Sequence, residues 1–310
     1  ENTALTASGV RQYASRDEIA ASVRAINQIY QQLDHDGQIA EGVLLTVGGL
    51  RPEARAKLMA GAGTDYVVAM DNCPNQVVLF GAIEVVAQWR ERLAAEGAIC
   101  QELPFGRAYH TPQFKPLADA FREYFRALDF GPGRVPLYSA RSAAPFPDAP
   151  DDIRELAAQQ WENPVRFTET IERLYADGFR VFLEVGPSAS LTAFVSDTLR
   201  GRDGVMTLST NSRRKSDLTH LQQTLAQLFV AGVEFDAARL YAHRRIDDFD
   251  LLSDPRPAPL RPFFLIWPIA TLRRPAYKRA ESGRADRRRR AFFGTPAAFS
   301  VRRKAHGVQE

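Results

Sequence analysis

The spacing of apolar residues changes several times along the chain. Ile19, Val23, Ile26, Ile29, Tyr30 and Leu33 recur at intervals of three and four. That spacing gathers them on one face of a helix, so residues 1–41 read as helical. From Gly42 the pattern shortens. Gly42–Val47, Tyr66–Met70, Val77–Phe80 and Ile99–Phe105 are compact apolar runs of strand length. Pro52–Ala62 opens with a proline at an early helical position, where its missing N–H costs little. Ile83–Glu96 carries Val86, Trp89, Arg90 and Leu93 at helical spacing, and Gly97 ends it. Asp71-Asn72-Cys73-Pro74-Asn75 reads as the turn between the second and third strands.

The resulting order, βαββαβ, fits a small ferredoxin-like unit. Helical spacing then returns. Phe114, Leu117, Ala118, Phe121, Tyr124, Phe125 and Leu128 form one broad stripe, with Thr111 and Pro112 suited to the N-cap and first helical position. Val135–Ser139 reads as a strand and Val165–Gly178 as a helix. Val181–Val185 reads as a buried strand closed by Gly186-Pro187, followed by a helix over Leu191–Leu199 and a strand over Val205–Ser209. Leu218, Leu221, Leu225, Leu228 and Phe229 mark a last amphipathic helix. Alternating strands and helices predict an α/β layer architecture with the small unit inserted into it.

Composition narrows the class. With 45% hydrophobic and 25% charged residues, the chain is globular on average. No apolar run approaches the roughly 20 residues of a membrane helix. Two cysteines, Cys73 and Cys100, exclude a disulfide framework and a four-cysteine zinc site, and both read as small buried residues. A reducing, cytoplasmic compartment is the expectation. The chain opens on Glu1 rather than Met, which suggests a fragment.

The formal charge of +3 conceals an asymmetry: residues 254–310 hold 14 Lys/Arg against 4 Asp/Glu, so they carry +10 and the body −7. That segment also holds seven prolines and Arg287-Arg288-Arg289-Arg290, and is expected to be a poorly ordered basic tail. No nucleic-acid module accompanies it, so nucleic acid is not an expected partner.

Candidate chemistry centres on His110. It directly precedes the predicted helix start, where the positive end of the helix dipole favours the neutral imidazole that a general base needs. His35, His220, His243 and His306 lack such a setting; His220 is expected on the polar side of the last helix. The Asn72–Gln76 segment could aim an amide at a ligand, although Asn and Pro also belong in turns for backbone reasons. Phe182-Leu183-Glu184-Val185-Gly186-Pro187 puts a strand end at a sheet edge of the kind that ligands favour. No GxSxG segment and no P-loop exist in the chain. The residues alone thus yield a candidate base and no nucleophile.

Several segments together resemble the malonyl-CoA:acyl-carrier-protein transacylase family, and most of all the acyltransferase domains of modular polyketide and polyunsaturated fatty acid synthases. Asn72-Cys73-Pro74-Asn75-Gln76-Val77-Val78-Leu79-Phe80-Gly81 is similar to the family's NSPxQxVxSG segment. Ala108-Tyr109-His110-Thr111-Pro112 resembles AFHSP, which carries the catalytic histidine. Trp161 with Asn163-Pro164-Val165-Arg166-Phe167 resembles W…NPVRF, and Phe182–Pro187 with Leu191-Thr192 resembles FxEVGPxxxLT. Order and spacing agree over roughly residues 1–250.

The resemblance implies an α/β-hydrolase-like large subdomain at 1–41 and 106–253, incomplete at its N-terminal side, with the ferredoxin-like subdomain inserted at 42–105. It implies ping-pong transfer of a malonyl-type group from coenzyme A through a serine ester to the pantetheine thiol of an acyl carrier protein. No bound cofactor is expected: the coenzyme A thioester is substrate, and phosphopantetheine sits on the partner. Other synthase domains are further implied partners, and no membrane is. His110 would be the base and Asn72 a pocket residue. Arg24 lies near the place of the arginine that binds the malonyl carboxylate. Tyr109 fills an aromatic slot that leaves little room for a methyl branch, favouring malonyl over methylmalonyl; Arg107, nearby, departs from the usual residue.

The beginning and the end depart more. Glu1-Asn2-Thr3-Ala4-Leu5 resembles the sequence directly after the family's GHSxGE elbow, so the serine would lie just ahead of Glu1. The chain by itself is therefore expected to be inactive. The alternative is a serine-less module that binds a carrier protein or subunit. Residues 254–310 do not resemble the family's closing linker, and the abrupt Pro/Arg shift suggests a change of reading frame.

Overall fold

The computed structural model describes residues 2–63, 65–213 and 216–242. The basic segment 254–310 lies outside the described residues. The chain divides into two units, Glu1–Arg239 and Leu240–Glu310, and the description below concerns the first.

Its centre is a five-stranded sheet in the order β4-β1-β3-β2-β7. The strands are β1 (Val43–Gly48), β2 (Val67–Cys73), β3 (Gln76–Gly81), β4 (Ile99–Glu102) and the short β7 (Val165–Arg166). The first four pair antiparallel, with Leu44 opposite Phe80 and Val47 opposite Cys100. β7 adds in parallel, Met70 opposite Val165. With α3 (Pro52–Ala60) and α4 (Ile83–Ala95), β1–β4 form the ferredoxin-like arrangement expected from the βαββαβ order.

The strands are continuous apolar runs because both sheet faces are covered. On one face Leu45, Val47, Val77 and Leu79 pack with Leu58 of α3 and Val86 and Leu93 of α4. On the other, Leu44, Val78 and Phe80 join a second core with Phe114, Phe121 and Ile153. Alternation at period two thus sends successive residues of one strand into two cores. The second core is closed by helices α1 (Asn2–Ser8), α2 (Arg16–His35), α5 (Lys115–Arg126) and α6 (Pro150–Glu162). Gly42, just before β1, has no room for a side chain. An added Cβ would lie 2.5 Å from the Phe80 ring and 2.8 Å from the Gly81 carbonyl oxygen. Gly42→Ala is expected to cost about 1–3 kcal/mol by overpacking, read as a lower urea midpoint at unchanged slope.

α2 is capped at its start by Ser15. Ser15 Oγ accepts the Glu18 N–H at 3.2 Å, and Glu18 reaches back to accept the Ala14 N–H at 2.6 Å. Its apolar stripe is half-buried from Ile26 onward, whereas Ile19 and Val23 are exposed; the buried residue of α2 is Ser22, to which the Tyr124 and Tyr13 hydroxyls donate.

Other expectations need correction. Asp71, Asn72 and Cys73 are strand, not turn. β2 runs through them with register shifts between Val68 and Met70 and between Asp71 and Cys73, leaving Pro74-Asn75 as the connection. α6 was not expected: among its apolar positions two of the buried ones, Ala157 and Ala158, are alanines, a faint signal for a helix that supplies core. The predicted strand Val135–Ser139 reduces to β5 (Tyr138–Ser139), which pairs with β6 (Ala144–Pro145), and the predicted helix at 165–178 is β7 followed by α7 (Phe167–Ala176).

The predicted buried strand is exposed on alternate residues. β8 (Val181–Glu184) pairs in parallel with β9 (Met206–Ser209) in a two-stranded sheet. Phe182 packs against α7 and α8 (Ser190–Thr198) with Ile171 and Val195, whereas Val181, Leu183 and Val185 face away and are uncovered among the described residues. In α9 (Asp217–Val230), Leu228 and Thr224 are buried while Leu218 and Phe229 are exposed. Periodicity identified the amphipathic elements, but one layer of them covers only one face.

Candidate functional site

His110 sits in a left-handed backbone conformation, φ 61°, between Tyr109 and Thr111. Histidine is among the residues that tolerate this region better than most. The predicted helix start is corrected in detail. Pro112–Phe114 is a single 3₁₀ turn leading into α5, and the Thr111 hydroxyl donates back to the Ala108 carbonyl at 2.7 Å rather than capping. The dipole of a full helix is therefore not what acts on His110.

The end of α6 acts instead. The His110 backbone N–H donates to the Trp161 carbonyl at 3.1 Å, and Nδ1 lies 2.8 Å from the Gln160 carbonyl oxygen. A carbonyl only accepts, so Nδ1 carries the proton and Nε2 holds the free lone pair. The imidazole lies nearly parallel to the Trp161 indole, centroids 6.5 Å apart. Burial lowers the His110 pKa below the ordinary histidine value, and the Gln160 bond opposes this in part. The group is therefore neutral at pH 7. Unfolding frees it to bind a proton at its ordinary pKa, so acid favours the unfolded chain. The expected result is a loss of stability as pH falls below about 6.5, continuing until the folded group also protonates. His110→Asn flattens that slope of the urea-unfolding free energy against pH.

The segment from Gln160 to Phe167 spans two parts of the site. Its start holds His110, and its β7 portion pairs with Met70 and Asp71 of β2. Asp71 is itself fixed by Arg55 Nη2 at 2.6 Å and by the Thr168 hydroxyl at 2.9 Å. The next residue, Asn72, sits in the register shift of β2, and its Nδ2 donates to Gln76 Oε1 at 3.0 Å across the hairpin. Bulges re-aim side chains in this way. α6 is clamped to α5 by Arg122, which pairs with Glu155 at 2.9 Å and also with Glu162 and Asp119. These carboxylates raise the Arg122 pKa, Glu155 most strongly.

Tyr109 turns the other way. Its ring packs against Phe114 at 4.7 Å between centroids and stacks on Tyr30 at 6.3 Å, and its hydroxyl donates to the Tyr30 hydroxyl at 3.1 Å. Burial, with that bond and the nearby Tyr30, pushes its pKa up. Arg107 is engaged by Asp34 at 2.6 Å and Glu41 at 3.2 Å, which ties the segment before His110 to α2. Arg24 is exposed on α2 and forms no hydrogen bond or ion pair among the described residues. The structure thus ties His110 to the strand of Asn72 and sets Tyr109 beside His110, but gives no contact joining Arg24 to them.

Sequence reasoning overlooked the Gln160 carbonyl, since main-chain acceptors leave no residue signature, and treated Trp161 and Gln76 only as parts of motifs. It also misplaced His220. Its Nε2 is 3.0 Å from Ser209 Oγ of β9, so it faces the strand and not solvent. Among the described residues, no group of three or more His, Cys, Asp or Glu side chains could hold a metal ion, and no helix is long and apolar enough to cross a membrane.

The signature of the family described as "Acyl transferase domain" matches residues 7–235. The chain is 30% identical over 190 residues, 60% of its length, to 6-methylsalicylic acid synthase of Penicillium patulum, of which it spans 11%. It is 30% identical over 166 residues, 52% of its length, to the malonyl CoA-acyl carrier protein transacylase of Bacillus subtilis, of which it spans 51%. Its fold is similar to the crystal structure of the acyltransferase domain from the second module of the salinomycin polyketide synthase. There the TM-score is 0.57 at 29% identity, covering 71% of this chain and 50% of that one.

Proposed function

On the premise that the chain belongs to the acyl transferase domain family, we propose that it forms the histidine-bearing part of an acyltransferase. That enzyme moves a malonyl-type group from coenzyme A to the pantetheine thiol of an acyl carrier protein in polyketide or fatty acid synthesis. The observation that carries this reading is the hydrogen bond from His110 Nδ1 to the Gln160 carbonyl, which leaves Nε2 as a neutral proton acceptor. The relatives' own names, a synthase and a malonyl transacylase, support the substrate class.

In the proposed reaction a serine hydroxyl attacks the thioester carbonyl while His110 Nε2 takes its proton. The thiol of coenzyme A leaves with that proton, and an acyl-serine remains. The pantetheine thiol then gives its proton to Nε2 and attacks the ester, returning the proton to the serine. The sequence holds no GxSxG segment, so the serine is assigned to sequence outside these 310 residues. Asn72, held by Gln76, is assigned to orienting the site from the hairpin side. Tyr109, packed on Phe114 and Tyr30, is assigned to narrowing the acyl pocket in favour of malonyl. Arg24, without an ion pair, is assigned to the malonyl carboxylate.

The test is a loading assay with radiolabelled malonyl-CoA and a carrier protein. The chain alone should transfer nothing. The same residues fused behind the GHSxG elbow of a related acyltransferase domain should acquire label on serine and pass it to the carrier. Carrier binding by the chain alone, with no labelling of a folded fusion, would favour the serine-less binding module.

A further inference from the structure

Two carboxylates hold the β2–β3 hairpin, one on each side of Asn72. The first is Asp71, fixed by Arg55 and Thr168. The second is Asp197, near the end of α8. Its Oδ2 accepts the backbone N–H of Asn75 at 3.0 Å, and its Oδ1 accepts the side-chain amide of the same residue at 2.8 Å. One carboxylate thus grips one turn residue at two points, which fixes orientation as well as distance. The partners are 122 positions apart in the chain, so the contact is tertiary and not a turn closing on itself. The Asp197 side chain is 11% exposed, and water competes weakly for bonds made there. Burial above all, with the Asp197 carboxylate, pushes the neighbouring Cys73 thiol up to about 11.

Both ends of this contact are anchored. On the α8 side, the Thr192 N–H and hydroxyl donate to Glu184 of β8 at 2.7 and 2.8 Å, and Ser196 Oγ lies 2.7 Å from Thr207 Oγ1 of β9. On the hairpin side, the Asn75 carbonyl accepts the Gly49 N–H at 3.0 Å, just after β1. The residue after Asn75 is Gln76, whose Oε1 holds Asn72 Nδ2. A continuous path therefore runs from α8 through Asp197, Asn75 and Gln76 to the Asn72 amide. Asn72 needs such ties because it lies in the register shift of β2, where the ladder alone does not fix a side chain.

We propose that Asp197 is a positioning residue for acyl transfer: it clamps the β2–β3 connection to α8 and thereby sets where Asn72 presents its amide. The inference rests on the assignment of Asn72 to the site and adds to that reading the group that places it. Asp197 acts through the hairpin and not on the acyl group.

The first measurement is hydrogen exchange, read by mass spectrometry on the chain alone. Asp197→Ala should speed exchange over residues 71–78 by at least about tenfold and leave α4 within about twofold of the parent, because the opening is local. Asp197→Asn keeps an acceptor for the Asn75 N–H without the charge. It should fall between the two, and it serves if the alanine variant does not fold. The second measurement is malonyl loading in the fusion that carries the GHSxG serine. Asp197→Ala should lower kcat/KM about tenfold with Asn72 present, and less than about twofold when Asn72 is already alanine, since a residue acting through Asn72 has nothing further to remove. Equal losses in both backgrounds would make Asp197 a stability contact and overturn the proposal. So would exchange over 71–78 that changes no more than exchange over α4. A parent fusion that acquires no label sinks the acyl-transfer reading instead, and the exchange rates then decide by themselves whether Asp197 holds the hairpin of Asn72.

Discussion

Replacing His110 by alanine in a fusion that carries the GHSxG serine should lower acyl transfer to the carrier thiol by about 10²–10⁴-fold. Both half-reactions lose their proton acceptor, so serine labelling and its discharge should both slow. KM for malonyl-CoA should change little, because His110 is assigned to proton transfer rather than to holding the acyl group. The alanine variant also places a residue without special tolerance at φ 61°, at a cost of about 1–2 kcal/mol. His110→Asn avoids most of that strain, because asparagine tolerates the left-handed region. Equal loss of activity in both variants, at different stabilities, attributes the effect to the imidazole. Transfer within tenfold of the parent in the asparagine variant would remove His110 from the reaction.

The largest effect on stability is expected at Phe121. Its ring is 1% exposed and lies 5.1 Å, centroid to centroid, from Trp161 and 5.8 Å from Phe125. Phe121→Ala removes the wedge between α5 and α6 and should cost about 3–5 kcal/mol, a large share of a typical domain's margin. Because Trp161 rests on this ring and lies under His110, the tryptophan fluorescence of the folded variant should shift as well. A urea midpoint close to that of the parent would mean that α6 is held by other means, above all by the Arg122 cluster.

Much of the fold was legible because its signals are local. The strands of the central sheet are apolar runs punctuated by glycine and proline, and their order already implied the ferredoxin-like unit. His110 could be picked out from its place before Thr111-Pro112. The failures share a cause, which is that sequence records what a residue prefers but not what meets it. Asn72 has turn-like neighbours, yet a bulge keeps it in β2. Leu183 and Val185 have the composition of a buried strand, yet nothing among the described residues covers them. α6 buries two alanines, and alanine is too ambiguous to announce a core helix. The neutral state of His110 was foreseen for a different reason from the one that operates: burial accounts for it, not a helix dipole.

The acceptor that orients His110 is a main-chain atom, and this shapes how the site can drift over generations. Any residue at position 160 that continues the last turn of α6 presents the same carbonyl. Substitutions there should be limited by helix propensity and not by chemical identity. The tautomer of His110, the proposed base, is thereby insulated from most point substitutions in its immediate surroundings. It stays exposed to changes in the packing of a helix whose sequence does not announce its contact with His110.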